Sequence, residues 1–451
     1  MVRSFVCAFV FVLSTLFSGC GYDGNETSVP KKRKTEISVS VYRADGKSAS
    51  EHIVNAVVCP DRSIIAARCG GSIVRITPDG KESVLLSIDD ATDWRGLFID
   101  RDNNVFASPH ASTAGKGTFS MSDRGLYKLP YGADSMKKVI SLYDTGSEDT
   151  EETIKNDDTF WSICQDDLGY LYAGVYSHTM RSSPRIYRSV DGGDNWKDLF
   201  DFRTLLPKGK HIHSIVFNRY DSCLYCLVGE MNTVLQSSDH GVSWQDLHAQ
   251  CEEDKGCSML AVEDGLLIGS DGAYSCTLSK LYRNGLMQTK ARIWANTVFA
   301  IRRSDRTGWI YAFTKIDSSV NNPDYWPPVS AIDDKDELAK WTATGPAHYS
   351  DWLKYYRRCV SIYPEDAVRP QHCSILVSRD DGETWSIIHT EDVGPAGPSG
   401  FWTTGYFFDG ECLTGFFKRT ETMQIERPLI VCEKQAGDVF TITNNDFKYQ
   451  Q

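Results

Sequence analysis

SVDGGDNW at 189–196, SSDHGVSW at 237–244 and SRDDGETW at 378–385 are three copies of one spacing. Ser comes first, Asp two residues on, Gly two further, and Trp three after that. Each position has a physical task. The carboxylates of Asp191, Asp239 and Asp380 can accept backbone N–H groups inside a tight turn. Gly193, Gly241 and Gly382 allow positive φ without steric cost. Trp196, Trp244 and Trp385 then open the next strand and offer a large ring for burial between sheets. Ser189, Ser237 and Ser378 close the strand-like runs RIYRS, TVLQS and SILVS that precede the turns. One copy of so short a pattern carries little. Three copies, each behind a strand, predict a repeated β unit.

Outward from these turns, the chain from about residue 36 reads as short alternating strands separated by Gly, Asp and Asn turns, with little helical periodicity before 330. Thr77-Pro78-Asp79-Gly80 and Asn284-Gly285 are worn turns at the equivalent place in other units. Ser189 and Ser237 are 48 residues apart, one unit; Ser237 and Ser378 are 141 apart. Cutting out an insertion at about 316–370 leaves two units at a period of roughly 40–50 residues. The insertion contains the helix-compatible runs DKDELAKW (334–341) and AHYSDWLKYYRR (347–358) and is rich in aromatics, Trp326 and Trp352 among them. Such rings pack a satellite core or line a lid over a ligand.

The triplet resembles the Asp-box, or bacterial neuraminidase repeat (BNR), of sialidase-like β-propellers. The phrases FWSICQDDLGYLYAGVYSH and HIHSIVFNRYDSCLYCLVGE are similar to uncharacterised bacterial BNR-repeat proteins with a like HIH strand. The resemblance implies an all-β, seven-bladed propeller over about 36–445, six or eight blades being the alternatives, with a mixed, partly helical insertion in a late blade. The strand at Glu36–Tyr42 would pair with the last blade and close the ring, removing unpaired edges. In that family Asp-boxes sit on rim turns, so they imply stability rather than activity.

A hydrolase of the sialidase type would need three arginines clamping a carboxylate, a Tyr nucleophile assisted by Glu, and an Asp acid/base. Its first arginine lies in an Arg-Ile-Pro phrase. Here Tyr42-Arg43 runs into Ala44-Asp45, and Arg185-Ile186 runs into Tyr187 just before an Asp-box. Tyr406 is late enough for the nucleophile but has no motif around it. No catalytic set is assigned, and the enzyme question stays open.

The polar cluster that stands out is histidine-rich. His211 and His213 alternate on one strand behind Lys210, so both face one way. His110 follows NNVFASP and His178 follows LGYLYAGVYS, at strand ends that a propeller turns toward one axial mouth. No cofactor is demanded; a divalent metal on neutral imidazoles is one use of such a cluster, an acidic ligand another, and capping of strand ends a third.

The amino terminus reads as a leader. Arg3 precedes an apolar stretch from Phe5 to Phe17, and Phe17-Ser18-Gly19-Cys20 resembles a bacterial lipobox. That implies a signal peptide at 1–19, lipid on Cys20 and a polar tether to about 35. Formal charge is −12, which argues against nucleic acid as a partner. An exported chain permits disulfides. Cys412 and Cys432 are equidistant from residue 422 in a polar turn, which predicts a hairpin disulfide. Cys223 and Cys226 form a lone CxxC whose thiols would leave opposite strand faces.

The sequence therefore supports a lipid-anchored propeller of the bacterial cell envelope, on its periplasmic or surface side, binding a glycan or an envelope protein. A carbohydrate-active hydrolase or lyase and a structural envelope scaffold are the alternatives.

Overall fold

A computed structural model of the chain describes residues 35–41, 53–68, 70–88, 93–110, 123–142, 159–176, 184–251, 255–272, 276–293, 295, 297–316, 372–392, 399–404, 406–419 and 423–435. Strand β1 (Glu36–Val41) comes first, followed by the four strands of blade 1: β2 (Ile53–Val58), β3 (Ile64–Arg68), β4 (Ser72–Ile76) and β5 (Glu82–Ser87). Blade 2 is β6 (Asp93–Ile99), β7 (Val105–His110), β8 (Gly125–Leu129) and β9 (Lys137–Ser141). Blade 3 is β10 (Thr159–Gln165), β11 (Leu171–Tyr176), β12 (Arg185–Ser189) and β13 (Lys197–Asp201). Blade 4 is β14 (Ile212–Asn218), β15 (Cys223–Val228), β16 (Leu235–Ser237) and β17 (Gln245–Asp246). Blade 5 is β18 (Lys255–Val262), β19 (Gly265–Asp271), β20 (Cys276–Tyr282) and β21 (Met287–Ile293). Blade 6 is β22 (Thr297–Arg303), β23 (Ile310–Ile316), β24 (His372–Ser378) and β25 (Ser386–Asp392). Blade 7 is β26 (Ser399–Thr404), β27 (Glu411–Arg419) and β28 (Met423–Lys434), completed by β1 pairing antiparallel to β28.

The protein is thus a β-propeller of seven four-stranded sheets. Within each blade the strands pair antiparallel in a meander, and short pairings of β19 with β22 and of β23 with β26 also tie blades 5, 6 and 7 together. The first strand of each blade contacts the first strand of the next, and β26 returns to β2. Closing the last blade with the first strand ties the two ends of the chain into one sheet and leaves β1 as its outer strand.

The three Ser–Asp–Gly–Trp turns join the third and fourth strands of blades 3, 4 and 6. They are built alike. Ser189 Oγ donates to Asp191 Oδ1 at 2.8 Å and accepts from Gly193 N at 2.9 Å; Asp191 Oδ1 accepts from Asn195 N at 2.9 Å; Trp196 Nε1 donates to Gly193 O at 3.0 Å. The same four contacts recur at Ser237, Asp239, Gly241 and Trp244 and at Ser378, Asp380, Gly382 and Trp385. The glycines sit at φ +87°, +83° and +89°. A Cβ on Gly193 would fall 2.4 Å from the Phe106 ring of blade 2, and one on Gly382 2.4 Å from Leu267 of blade 5. The turns therefore press backbone against the preceding blade, where no side chain fits. Asn195 holds the Asp191 carboxyl well below the usual carboxylate range, with Ser189 adding to it. These groups are consumed by the turn, which leaves them no chemistry to do.

Two cysteine expectations meet different outcomes. Cys226 packs in the cluster between blades 3 and 4, while Cys223 faces the cluster shared with blade 5, so the CxxC does split across two faces. The Cys412–Cys432 disulfide is not formed. The hairpin starts with Arg419 opposite Met423, and an irregularity at Phe416/Phe417 shifts the pairing by one, so Cys412 lies opposite Val431 and Cys432 opposite Glu411. One residue of slip turns a side chain to the other face. Cys412 accordingly joins the blade 6–7 core and Cys432 the blade 7–1 core.

Candidate binding site in the central channel

The inner strands share a defect. In β10, β14, β18 and β22, pairing with the second strand skips one residue near the strand start: Trp161, His213, Cys257 and Phe299. A bulge re-aims the unpaired side chain. All four residues line one cavity along the propeller axis, about 540 Å³ in volume. Trp161 and Phe299, from blades 3 and 6, meet with ring centroids 5.1 Å apart, and Lys315 Nζ lies 5.8 Å from the Phe299 centroid. Elsewhere on the wall, Tyr406 from blade 7 packs edge-on to Phe98 of blade 2 at 6.3 Å and under the Arg302 guanidinium of blade 6 at 5.1 Å.

The histidines divide. His211 and His213 come together, Nε2 to Nε2 at 2.8 Å, beside Trp161 and Tyr176. His213 Nδ1 lies 2.8 Å from Gly256 O, which assigns the proton to Nδ1. His213 Nε2 then accepts from His211 Nε2–H. A single proton occupies the gap between the rings. Both are buried, at 3% and 6% exposure, and a Cβ on Gly229 would fall 2.3 Å from the His211 ring. His110 is buried at the end of β7 in blade 2, with blade 3 between it and the pair. Lys210 directs its ammonium to Glu230, 3.6 Å away, rather than to the channel. Of the histidines expected at one mouth together with Lys210, those described place His211 and His213 as a wall-embedded pair, with His110 buried two blades away and Lys210 turned aside. His178, Trp326, Trp352 and Cys20 lie outside the described residues, as do Arg43 and all but the first residue of the 316–370 insertion.

Burial lowers the His213 pKa from its ordinary value of 6.5, with Lys255 adding to the effect; Asp271, the Gly256 hydrogen bond and Glu230 oppose it. A depressed imidazole is a stability statement. Its contribution is complete above pH 6.5 and is lost as pH falls toward the lowered native value, because only the unfolded chain then takes up the proton. His213→Gln is expected to flatten the decline in urea midpoint between about pH 6.5 and 5. An identical decline in wild type and variant would reject it.

Among the described residues, Asp166, Asp167 and His240 offer ligand atoms within 4.8 Å of one another. Asp166 Oδ2 already accepts from Tyr172 OH and contacts His240 Nδ1, each at 2.8 Å, so this group works as a clamp between blades 3 and 4. The His211–His213 pair could offer two imidazoles to a metal, but the described residues add no third ligand there.

Three arginines, Arg101, Arg302 and Arg303, line the cavity. They do not converge. Arg303 pairs with Asp381 at 2.6 Å and Arg101 reaches the Asp167 carbonyl at 3.4 Å, leaving Arg302 beside Tyr406. Asp100 is the one carboxylate among the described lining residues. Burial raises its pKa, and it accepts two hydrogen bonds from Asn104 at 2.8 Å.

Sequence reading passed over Trp161, Phe299, Phe98, Arg302 and Asn55. A signal existed for the bulges: Trp161-Ser162, His213-Ser214, Cys257-Ser258 and Phe299-Ala300 each put a small residue after the one thrown inward. In two blades that Ser bonds the next inner strand, Ser162 Oγ accepting from Ile215 N at 2.9 Å and Ser258 Oγ donating to Val298 O at 2.7 Å.

No protein-family model matches the chain, and no curated protein matches it. Solved structures do. A streptogramin B lyase superposes with a TM-score of 0.50 at 10% identity, over 88% of this chain and 98% of that one. The WD40 repeats of RRP9 give 0.49 at 10%, over 88% and 100%. The extracellular domain of a putative hybrid two-component system from B. thetaiotaomicron gives 0.47 at 10%, over 89% and 40%. At such identity the likeness is one of fold.

Proposed function

We propose that the propeller is a binding protein of the bacterial cell envelope, and that its ligand, a glycan or an envelope protein's projecting segment, enters the central channel. The observation that carries this reading is the cavity of about 540 Å³ with Trp161, Phe299, Phe98 and Tyr406 set among Arg302, Asn55 and Gln165. Aromatic faces interleaved with a few polar groups suit sugars, and the volume falls within the ~300–1,000 Å³ of small-molecule sites. Binding is favoured over hydrolysis because a glycosidase of the usual kind needs two facing carboxylates, whereas the described lining offers Asp100 alone. In this reading the three Ser–Asp–Gly–Trp turns are Asp-boxes of a sialidase-like scaffold, kept for stability.

Titrating the purified protein against a panel of neutral and acidic glycans and envelope extracts tests the proposal. Binding should slow amide exchange on the inner strands. A bound partner that protects the outer strands only would move the site off the channel and overturn the reading. Lipid attachment at Cys20, which would tether the propeller to the membrane, belongs to the same proposal. Cys20→Ser should release the protein from the membrane fraction; unchanged fractionation would place the anchor elsewhere.

A further inference from the structure

Arg302 is a channel-lining cation that meets no carboxylate among the described residues. It lies on the inner strand β22, half-buried, and has no ion pair among the described residues. One terminal nitrogen donates to the carbonyl of its own neighbour Ile301 at 3.0 Å. Its Nε is buried without an acceptor. Two buried lysines do meet carboxylates: Lys280 reaches Asp264 and Glu383 at 3.0 and 2.8 Å, and Lys128 reaches Asp194 at 3.0 Å. A desolvated guanidinium is costly unless an anion meets it, and guanidinium geometry suits a carboxylate. The chain is acidic, yet none of its described carboxylates takes this position.

Two further polar groups line the same cavity, and one of them, Asn55 Oδ1, is buried without a partner. Tyr406 holds its ring beneath Arg302, and its hydroxyl bonds to no described residue. Burial raises its pKa despite Arg302, so the hydroxyl stays protonated and able to donate. Asn55 on β2 is 5% exposed and lines the cavity, and its Oδ1 has no donor. Buried polar groups without partners are rare in folded proteins and call for an explanation. An anion alone would satisfy Arg302 and Tyr406 but not Asn55 Oδ1, which needs a donor. A ligand that met all three groups would carry both a carboxylate and hydroxyl groups.

We infer that the channel holds an acidic-sugar subsite, in which Arg302 and Tyr406 receive the carboxylate of a hexuronate and Asn55 accepts from one of its hydroxyls. This rests on the binding reading above and names its ligand class. Phe98, edge-on to Tyr406, would supply an apolar wall for the sugar ring.

The test is calorimetric titration of the full chain with glucuronate, galacturonate and their oligomers, against glucose and galactose as neutral probes. Glucuronate or galacturonate should bind at least ~10-fold tighter than the matching neutral sugar, and Arg302→Met should erase that preference. Tyr406→Phe, which keeps the ring, should weaken the acidic sugar several-fold and leave the neutral one unchanged. Without ligand, Arg302→Met should melt at or above the wild-type temperature, since it removes a half-buried charge that has no ion pair among the described residues. Arg302→Lys keeps a charge and should retain part of the preference. A lowered melting temperature in Arg302→Met would make Arg302 a structural cation and overturn the inference, as would equal affinity for acidic and neutral sugars. Neutral glycans that bind with Arg302 irrelevant would sink this subsite and leave the glycan reading standing. Uronate binding that needs Arg302, with no binding of longer glycans, would sustain the subsite and sink the reading on which it rests.

Discussion

Trp244→Ala is expected to lower the stability of the protein by about 3–5 kcal/mol, the range for truncating a buried aromatic. Trp244 is 7% exposed, and its ring meets Phe202 at 5.0 Å and Phe200 at 6.4 Å, both from the end of blade 3. Its indole nitrogen also donates to Gly241 O at 3.0 Å, so the ring is held by the turn that delivers it. Truncation would open a void between two blades and release the turn at once. Trp196 and Trp385 hold the equivalent place but are only half-buried, so their alanine variants should cost less. Urea unfolding of the three variants checks the order. Equal costs would show that the rings act through the turn alone and not through burial.

Asp166→Ala should cost a similar amount, about 3–5 kcal/mol, for a different reason: it removes one side of a buried charged network. Asp166 is fully buried and accepts from Tyr170 N and Tyr172 OH and contacts His240 Nδ1, each at 2.8 Å. Tyr172 is itself fully buried, and its hydroxyl would retain only the His240 carbonyl at 3.2 Å. Arg188 reaches the same carbonyl at 3.0 Å. The network joins the first turn of blade 3 to the Ser–Asp–Gly–Trp turn of blade 4, so its loss should loosen one blade from the next. A double-mutant cycle with Tyr172→Phe should show strong coupling. Additive costs would mean that the two residues stabilise the fold independently.

Much of the architecture could be read from local patterns. A strand with alternating apolar residues ends where Gly, Asp or Asn permits a turn, and both signals lie within a few residues of each other. The three Ser–Asp–Gly–Trp turns then set the period, and the count of seven blades follows with the insertion set aside. Ring closure by β1 was also foreseeable, because an unpaired strand next to an unpaired edge has an evident solution.

The hairpin of blade 7 shows where such reading fails. Symmetry about residue 422 would have paired Cys412 with Cys432, but the tip pairs Arg419 with Met423 and an irregularity follows at Phe416/Phe417. Neither is encoded in the spacing of the two cysteines. They depend on how the strands of blade 7 twist against β26 and β1. A single residue of register decides which core each thiol enters.

Local sequence determined the β class, the repeat, the turn chemistry and the split of Cys223 from Cys226, because each depends on residues within one strand or one turn. Tertiary structure alone decided the site. Arg302, Tyr406, Asn55 and Phe98 come from blades 6, 7, 1 and 2, and nothing in their own neighbourhoods marks them. They become a cavity only when the ring closes and the inner strands bring their side chains to one axis. The same closure separated His110 from His211 and His213, since side chains on first and second strands meet different surroundings at equal distances from a strand end.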